Sequence, residues 1–356
     1  MTRWTTLVPP AALVALAVAW LTHPEGAVGV TAVAVVLVAA VLAAVHHAEV
    51  VAHRVGDPLG SLILAVAVTV IEVALIVTLM VGDPVHGATL ARDTVFAAVM
   101  LSINGIVGFS LLVGALRHHL AVFNPEGTGS ALATVITLAG LTLVLPTFTT
   151  SEPGPEFSTS QLAFAAVVSL ALYVLFVFTQ TVQHRDQFLP PQDDGVPDEQ
   201  HGAPSNRTTS LSLILLLMAL VAVVGLAKVE SKPLEKAVGA AGLPQELVGV
   251  VIAALVLLPE AISAVRAAAD DRVQVSFNLA YGSAMASIGL TIPTIALAKI
   301  WLDGPLVLGL QTTQIVLLLL SAIVAVLTVV PGRSKPLQGG LHLVLLATFV
   351  FVSIKP

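Results

Sequence analysis

The chain has no cysteine among its 356 residues, which excludes disulfides and thiolate metal centres. Charge is almost as scarce. Asp, Glu, Lys and Arg together make up 10% of the residues, against about 25% in an average soluble domain. Aromatic residues contribute 5%, so the 57% hydrophobic content is mainly Ala, Val and Leu. No basic domain is present to serve a nucleic-acid partner. An HExxH run for a metal hydrolase is missing, and so is any recognisable Ser-His motif. The net charge of −6 says little, because membrane proteins sort their charges by position.

What the chain has instead is a series of apolar runs of about 17–25 residues, each long enough to cross a bilayer as a helix. Eleven are found, near 7–22, 27–45, 59–81, 94–116, 129–147, 160–182, 209–228, 247–269, 275–298, 305–330 and 336–354. An all-α, polytopic membrane protein with about 11 transmembrane helices is expected. The first run (within residues 1–26) is short and follows Arg3. Its Ala15-Leu16-Ala17 resembles a signal-peptide cleavage site, and we expect a retained, peripheral first helix.

The other ten runs divide evenly around residues 183–208, the only long hydrophilic segment. Five lie in residues 27–182 and five in 209–356. Pro, Gly and acidic content mark the segment as a flexible linker. Its Asp193, Asp194, Asp198 and Glu199 read as solvated side chains, with a regulatory cation site as the alternative. With a cytoplasmic amino terminus, Arg3, Arg54, Arg117, Arg185, Arg207, Arg266, Arg272, Arg333 and Lys335 fall inside. Arg92, Lys228, Lys232, Lys236, Lys299 and Lys355 fall outside. That majority has the sense the positive-inside rule requires, and the acidic linker becomes cytoplasmic.

Two acids interrupt otherwise apolar runs. Glu72 stands within Leu59 to Val81, and Glu260 at the corresponding depth within Leu247 to Ala269. A carboxylate at the bilayer centre costs roughly 2.5 kcal/mol or more, so such a group faces protein or a watery path. The acids sit on the third and eighth runs, so their helices run in opposite directions, and the halves are two inverted five-helix repeats. In transporters, such repeats place substrate and coupling-ion sites near the midplane, often on broken helices. Pro259 removes the amide that would bond the Leu255 carbonyl. Thr69, one turn before Glu72, offers a hydroxyl on the same face.

The run after each acid is unusually polar. One carries Ser102, Asn104, Gly105, Gly108 and Ser110; the other carries Asn278, Gly282, Ser283, Ser287, Gly289, Thr291 and Pro293. Aligning Ser102 with Ser283 also aligns Gly108 with Gly289. Ser283, Ser287 and Thr291 recur every fourth residue and share a helix face. Such a stripe serves helix packing in many membrane proteins; beside paired acids we read it as cation-coordinating oxygen. The candidate metal ligands are Glu72, Glu260, Thr69, Ser102, Asn104, Ser283 and Ser287.

The segments HAEVVAHRVGDPLGSLILAVAVTVIEVALI and LLPEAISAVRAAADDRVQVSFNLAYGSAMASIGLTIPT, with the acidic segment between halves, resemble the calcium/cation antiporter superfamily. The nearest branch holds the bacterial calcium/proton and sodium-potassium/proton antiporters. The resemblance implies a multi-pass protein of the bacterial cytoplasmic membrane. It also implies eleven spans with the first outside the repeats, and Glu72 and Glu260 as the ligands that exchange metal ion for protons. Many calcium/proton exchangers carry Gly-Asn just ahead of the acid; this chain has Thr69-Val70-Ile71-Glu72 and Leu257-Leu258-Pro259-Glu260.

Paired carboxylates suit exchange. With hydroxyls and carbonyls they replace much of the water shell of Ca²⁺, Na⁺ or K⁺. Emptied, two carboxylates about 6 Å apart repel by roughly 3 kcal/mol at an effective dielectric constant near 20, so protons compete for the same oxygens. The expected function is secondary cation/proton antiport with no resident cofactor, the partners being inorganic cations, protons and the lipid bilayer. An intramembrane hydrolase using paired acids and a passive cation channel are the alternatives.

Weaker candidates are His46, His47, Glu49, His53 and Asp57, at the inner end of the second span. They read as interfacial polar groups, or as a proton or cation relay. His342 reads as a hydrogen-bonded structural histidine, or as a proton relay. Glu246 and Asp303 read as interfacial, and His118-His119 as an inner flank.

Overall fold

The structure, a computed structural model, describes residues 3–24, 26–55, 59–82, 87–191, 205–240, 242–244, 246–301 and 304–356. Asp57, Asp193, Asp194, Asp198, Glu199 and Asp303 lie outside these residues, as does the side chain of Glu246.

Eleven long helices follow one another: α1 (Arg3–Thr22), α2 (Ala27–Val55), α3 (Leu59–Gly82), α4 (Gly87–His118), α5 (Pro125–Thr147), α6 (Thr159–Gln183), α7 (Asn206–Ala240), α8 (Glu246–Ala269), α9 (Val273–Ala298), α10 (Thr312–Val329) and α11 (Pro336–Ile354). Among the described residues ten are long and apolar enough to cross a membrane. The eleventh, α3, has 24 residues, about 36 Å of helix at 1.5 Å per residue. This is a multi-pass membrane protein.

Three expected boundaries move. α2 continues to Val55, so His46, His47, Glu49 and His53 ride on helix. α7 runs through Pro233 to Ala240. The expected span at 305–330 begins only at Thr312, because Pro305 and Gly309 interrupt any helix there. The preceding residues plunge back into the bundle, where Leu306, Leu308 and Leu310 are buried. Backbone bonds tie them in: Val307 N–H donates to Ala88 O (2.9 Å), Gly309 N–H to Pro155 O (2.9 Å) and Leu310 N–H to Leu143 O (2.8 Å).

Helix neighbours are exchanged between the halves. α3 packs on α9 and α8 on α4; α4 packs on α11 and α9 on α6; α2 packs on α7. Two glycines mark the second pair of contacts. A Cβ at Gly289 would stand 2.6 Å from the Cβ of Tyr173 on α6, and one at Gly108 would stand 3.0 Å from the Cβ of His342 on α11. The residues aligned from sequence thus do the same work in each half, letting backbones approach where side chains cannot fit. α1 lies outside this exchange, against α2 and α7, where Thr5 O accepts from or faces His47 Nε2 at 2.9 Å.

One end of the bundle gathers the basic residues. Arg54 Nη2 donates to Asn206 Oδ1 (2.5 Å) and Arg117 Nη1 to Ala269 O (3.2 Å). A two-residue strand β1 (Ala121–Val122) pairs antiparallel with β2 (Arg333–Ser334) beside them. Arg92 is different from the flanking residue expected. It is buried, with Nη2 at 2.7 Å from Asp93 Oδ1, Nε donating to the same oxygen (2.8 Å) and Nη1 to Gly309 O (3.5 Å).

Candidate functional site

α3 forms because Ala, Val, Ile and Leu fill every position of its middle except the acid and its neighbouring threonine. Packed between α2, α7 and α9, it buries Thr69 and Glu72 to 5% and 4% exposure. The partner of Glu72 comes from the other half. Ser287 Oγ on α9 donates to Glu72 Oε1 at 2.5 Å across 215 residues of sequence. Thr69 is buried one turn away.

Glu260 is 7% exposed on α8, and its Oε2 has no hydrogen-bond partner among the described residues. Leaving a buried polar group unsatisfied costs about 1–3 kcal/mol, so such atoms call for a reason. Glu72 and Glu49 both stand near enough for their charges to act on Glu260. Glu49, half-buried on α2, is itself within reach of His53 and Arg266 at the basic end.

The two acid-bearing helices are unbroken, contrary to expectation. α8 stays helical through Pro259. The irregularity sits instead in α4, where Leu101–Ile106 form a π-turn. Val107 N–H donates to Ser102 O, one residue further back than in an α-helix. Such turns recur at functional sites. Ser102 is fully buried and its Oγ lacks a hydrogen-bond partner. Thr94 and Ser110 on α4, and Tyr281 and Thr291 on α9, also carry unpartnered buried hydroxyls. Among the described residues, these buried oxygens on α4 and α9 thus go without a hydrogen-bond partner.

The remaining expected ligands divide. Ser283 lies one turn from Ser287 and is half-buried. Asn104 is committed elsewhere: its Nδ2 donates to Ser321 Oγ on α10 (2.8 Å), and its Oδ1 faces His342 Nδ1 on α11 (3.2 Å). Its amide serves helix–helix contact, since two residues after Ser102 it stands on the other side of α4. Among the described residues no three His, Asp or Glu side chains converge on one point. Full coordination of a cation at the acids therefore calls on hydroxyl, carbonyl or water oxygens.

Each half also fastens the other at its outer or inner end. The register that pairs Ser102 with Ser283 pairs Asp93 with Gln274. The Arg92–Asp93 pair holds the chain leading into α10. Gln274, fully buried, accepts from Asn124 N–H (2.7 Å) where the chain enters α5, and its Nε2 donates to Asn278 Oδ1 (3.0 Å).

Comparison with known proteins shows the family of the chain. The family described as sodium/calcium exchanger protein matches residues 25–182 and 211–355. The chain is 44% identical to the protein y4hA of Sinorhizobium fredii over 320 residues, covering 90% of this chain and 87% of that one. It is 32% identical to the sodium-potassium/proton antiporter ChaA of Escherichia coli over 308 residues, covering 86% and 83% of the two chains. Among solved structures, native YfkE superposes with a TM-score of 0.74 over 98% of this chain and 99% of that one, at 16% identity.

Proposed function

Because the chain belongs to the sodium/calcium exchanger protein family, whose members are transporters and not enzymes, we propose that it exchanges a hard cation for protons at a site built around Glu72 and Glu260. Cation antiport is the activity of the family; the residues, the ion and the mode of exchange are our reading. The observation that carries it is the contrast between the two buried acids. Glu72 is bonded by Ser287 of the opposite half, while Glu260 Oε2 is buried without a partner and lies within the electrostatic reach of Glu72.

Two carboxylates in such surroundings do not both stay ionised and unneutralised, since burial and mutual repulsion act together. Either a cation bridges them, with Ser287, Ser102 and Thr69 completing its oxygens, or protons neutralise them. If the loaded states alone reorient, the halves 27–182 and 209–356 rocking about the site, flux of one ion requires counterflux of the other. Ca²⁺, Na⁺ and K⁺ all accept such oxygens. The absence of Gly-Asn before either acid and the likeness to a sodium-potassium/proton antiporter favour a site that is not restricted to Ca²⁺.

The test is proton movement in everted vesicles on addition of each cation in turn. Wild-type vesicles are expected to release protons in response to at least one of them, and both Glu72→Gln and Glu260→Gln to respond to none. Exchange at wild-type rate by either variant would reject the site. Cation flux that is indifferent to an imposed proton gradient would mark a channel instead.

A further inference from the structure

His342 is a buried histidine that the exchange reaction leaves without a task, and it stands within the last span. Ionisable residues at such depth are rare and usually functional. It is 0% exposed. Its Nδ1 lies 3.2 Å from Asn104 Oδ1, and its Nε2 lies 3.2 Å from Thr328 Oγ1 on α10. Its ring also stands beside the backbone of Ile103.

That last contact has a structural cause. In a regular helix the Ile103 carbonyl would receive the Val107 N–H, but in the π-turn this donor goes to Ser102 O. A carbonyl released inside an apolar bundle needs another donor. His342 meets the turn at both Ile103 and Asn104, while Ser321 takes Asn104 from the α10 side. Thr328 Oγ1 also donates to Val324 O (2.8 Å), so its hydroxyl is anchored on its own helix. Gly108 lets α11 close onto α4 beside this cluster. Two side chains from α10 and α11, Ser321 and His342, therefore hold the turn at Asn104, with Thr328 behind His342, and that turn carries Ser102 where α4 packs against α8 and α9.

We propose that His342, with Asn104, Ser321 and Thr328, is a positioning cluster for the cation site. It holds the π-turn of α4 in the register that places the Ser102 oxygen in the core beside the two acids. The cluster does not touch the ion; it fixes the backbone that does. The inference rests on the Glu72/Glu260 reading for its effect on transport, and on the π-turn alone for its effect on structure.

Two isosteric variants separate positioning from space-filling. His342→Asn keeps an amide donor where Nδ1 stands, facing Asn104; His342→Gln moves its amide to where Nε2 stands, facing Thr328. Loss of an outer-shell partner typically weakens metal binding about 10–100-fold, so the half-saturating cation concentration should rise at least about tenfold in His342→Gln. His342→Asn should stay near wild type, and turnover at saturation should be preserved in both. Ser102→Ala added to His342→Gln should shift it no further. Hydrogen exchange of the full chain in detergent gives a readout independent of transport: amides of Leu101–Ile106 should exchange faster in His342→Gln and not in His342→Asn. Equal behaviour of the two variants by either measure overturns the proposal. So does a loss confined to maximal rate, or additivity with Ser102→Ala. Failure of the acid site itself is read separately, from Glu72→Gln and Glu260→Gln, and leaves the exchange result to judge the cluster.

Discussion

The two halves share a scaffold and differ in how each treats its acid. Glu72 of the first half is hydrogen-bonded by Ser287 of the second; Oε2 of Glu260 in the second half has no hydrogen-bond partner among the described residues. The helix that faces Glu72 is regular α9, whereas the one that faces Glu260 is α4 with its π-turn. The first half carries two more π-turns, at Gly140–Val144 in α5 and Thr179–Gln183 in α6, and the described residues of the second half carry none. An inverted repeat fixes where helices lie, and single inserted residues then decide which oxygens are free.

The largest expected difference is between the acids themselves. Glu72→Leu and Glu260→Leu should both end exchange, measured as cation-driven proton release. Their stabilities should part: an apolar replacement at Glu260 removes an unsatisfied group worth about 1–3 kcal/mol and should raise the thermal midpoint, whereas Glu72→Leu strands Ser287 and should lower it. Midpoints that move together would erase the distinction.

Next come the ties at the two ends. Breaking a buried ion pair by removing one partner costs about 3–5 kcal/mol, so Arg92→Leu should be severe and Arg92→Leu with Asp93→Leu much milder. The equivalent tie at the basic end is a neutral amide, and Gln274→Leu should cost about 1–3 kcal/mol, the range for stranding buried partners. Denaturation of purified protein checks the order. A smaller effect is expected at the serines. A hydrogen bond to a charged group contributes about 1.5–3 kcal/mol, so Ser287→Ala should weaken apparent cation affinity roughly tenfold or more while half-buried Ser283→Ala changes it little. Smallest is the difference between Gly289→Ala and Gly108→Ala. Overpacking costs about 1–3 kcal/mol, and the tighter approach to Tyr173 should make the first the worse of the two.

Much of the fold is legible in the sequence because lipid imposes one rule, a long apolar helix per crossing. That rule fails where the chain is apolar without crossing: residues 305–311 are hydrophobic because they are buried under α4 and α5, not because they span. It is equally silent on Pro259, which lies inside a helix that continues to Ala269. For the site, the pairing of two acids and the serine stripe can be read from spacing. The π-turn cannot, since one extra residue leaves composition and periodicity almost unchanged; that Asn104 does not share a face with Ser102 follows from their two-residue spacing. Ser321 and Thr328, seven residues apart on one face of an otherwise apolar helix, are the signal through which the cluster around His342 can be anticipated.

The Ser287–Glu72 bond has a consequence for how the protein is made. The two residues are 215 positions apart, and a ribosome adding about 5–20 residues per second needs roughly ten to forty seconds to cover that distance. During that interval newly inserted α3 holds its carboxylate in the bilayer before the hydroxyl that will bind it has been synthesised. Arg92 waits as long for the Gly309 carbonyl, and Asn104 for Ser321, each separated by 217 positions. The nascent first half is therefore a polar, unfinished surface that the insertion machinery must shelter until its second half emerges.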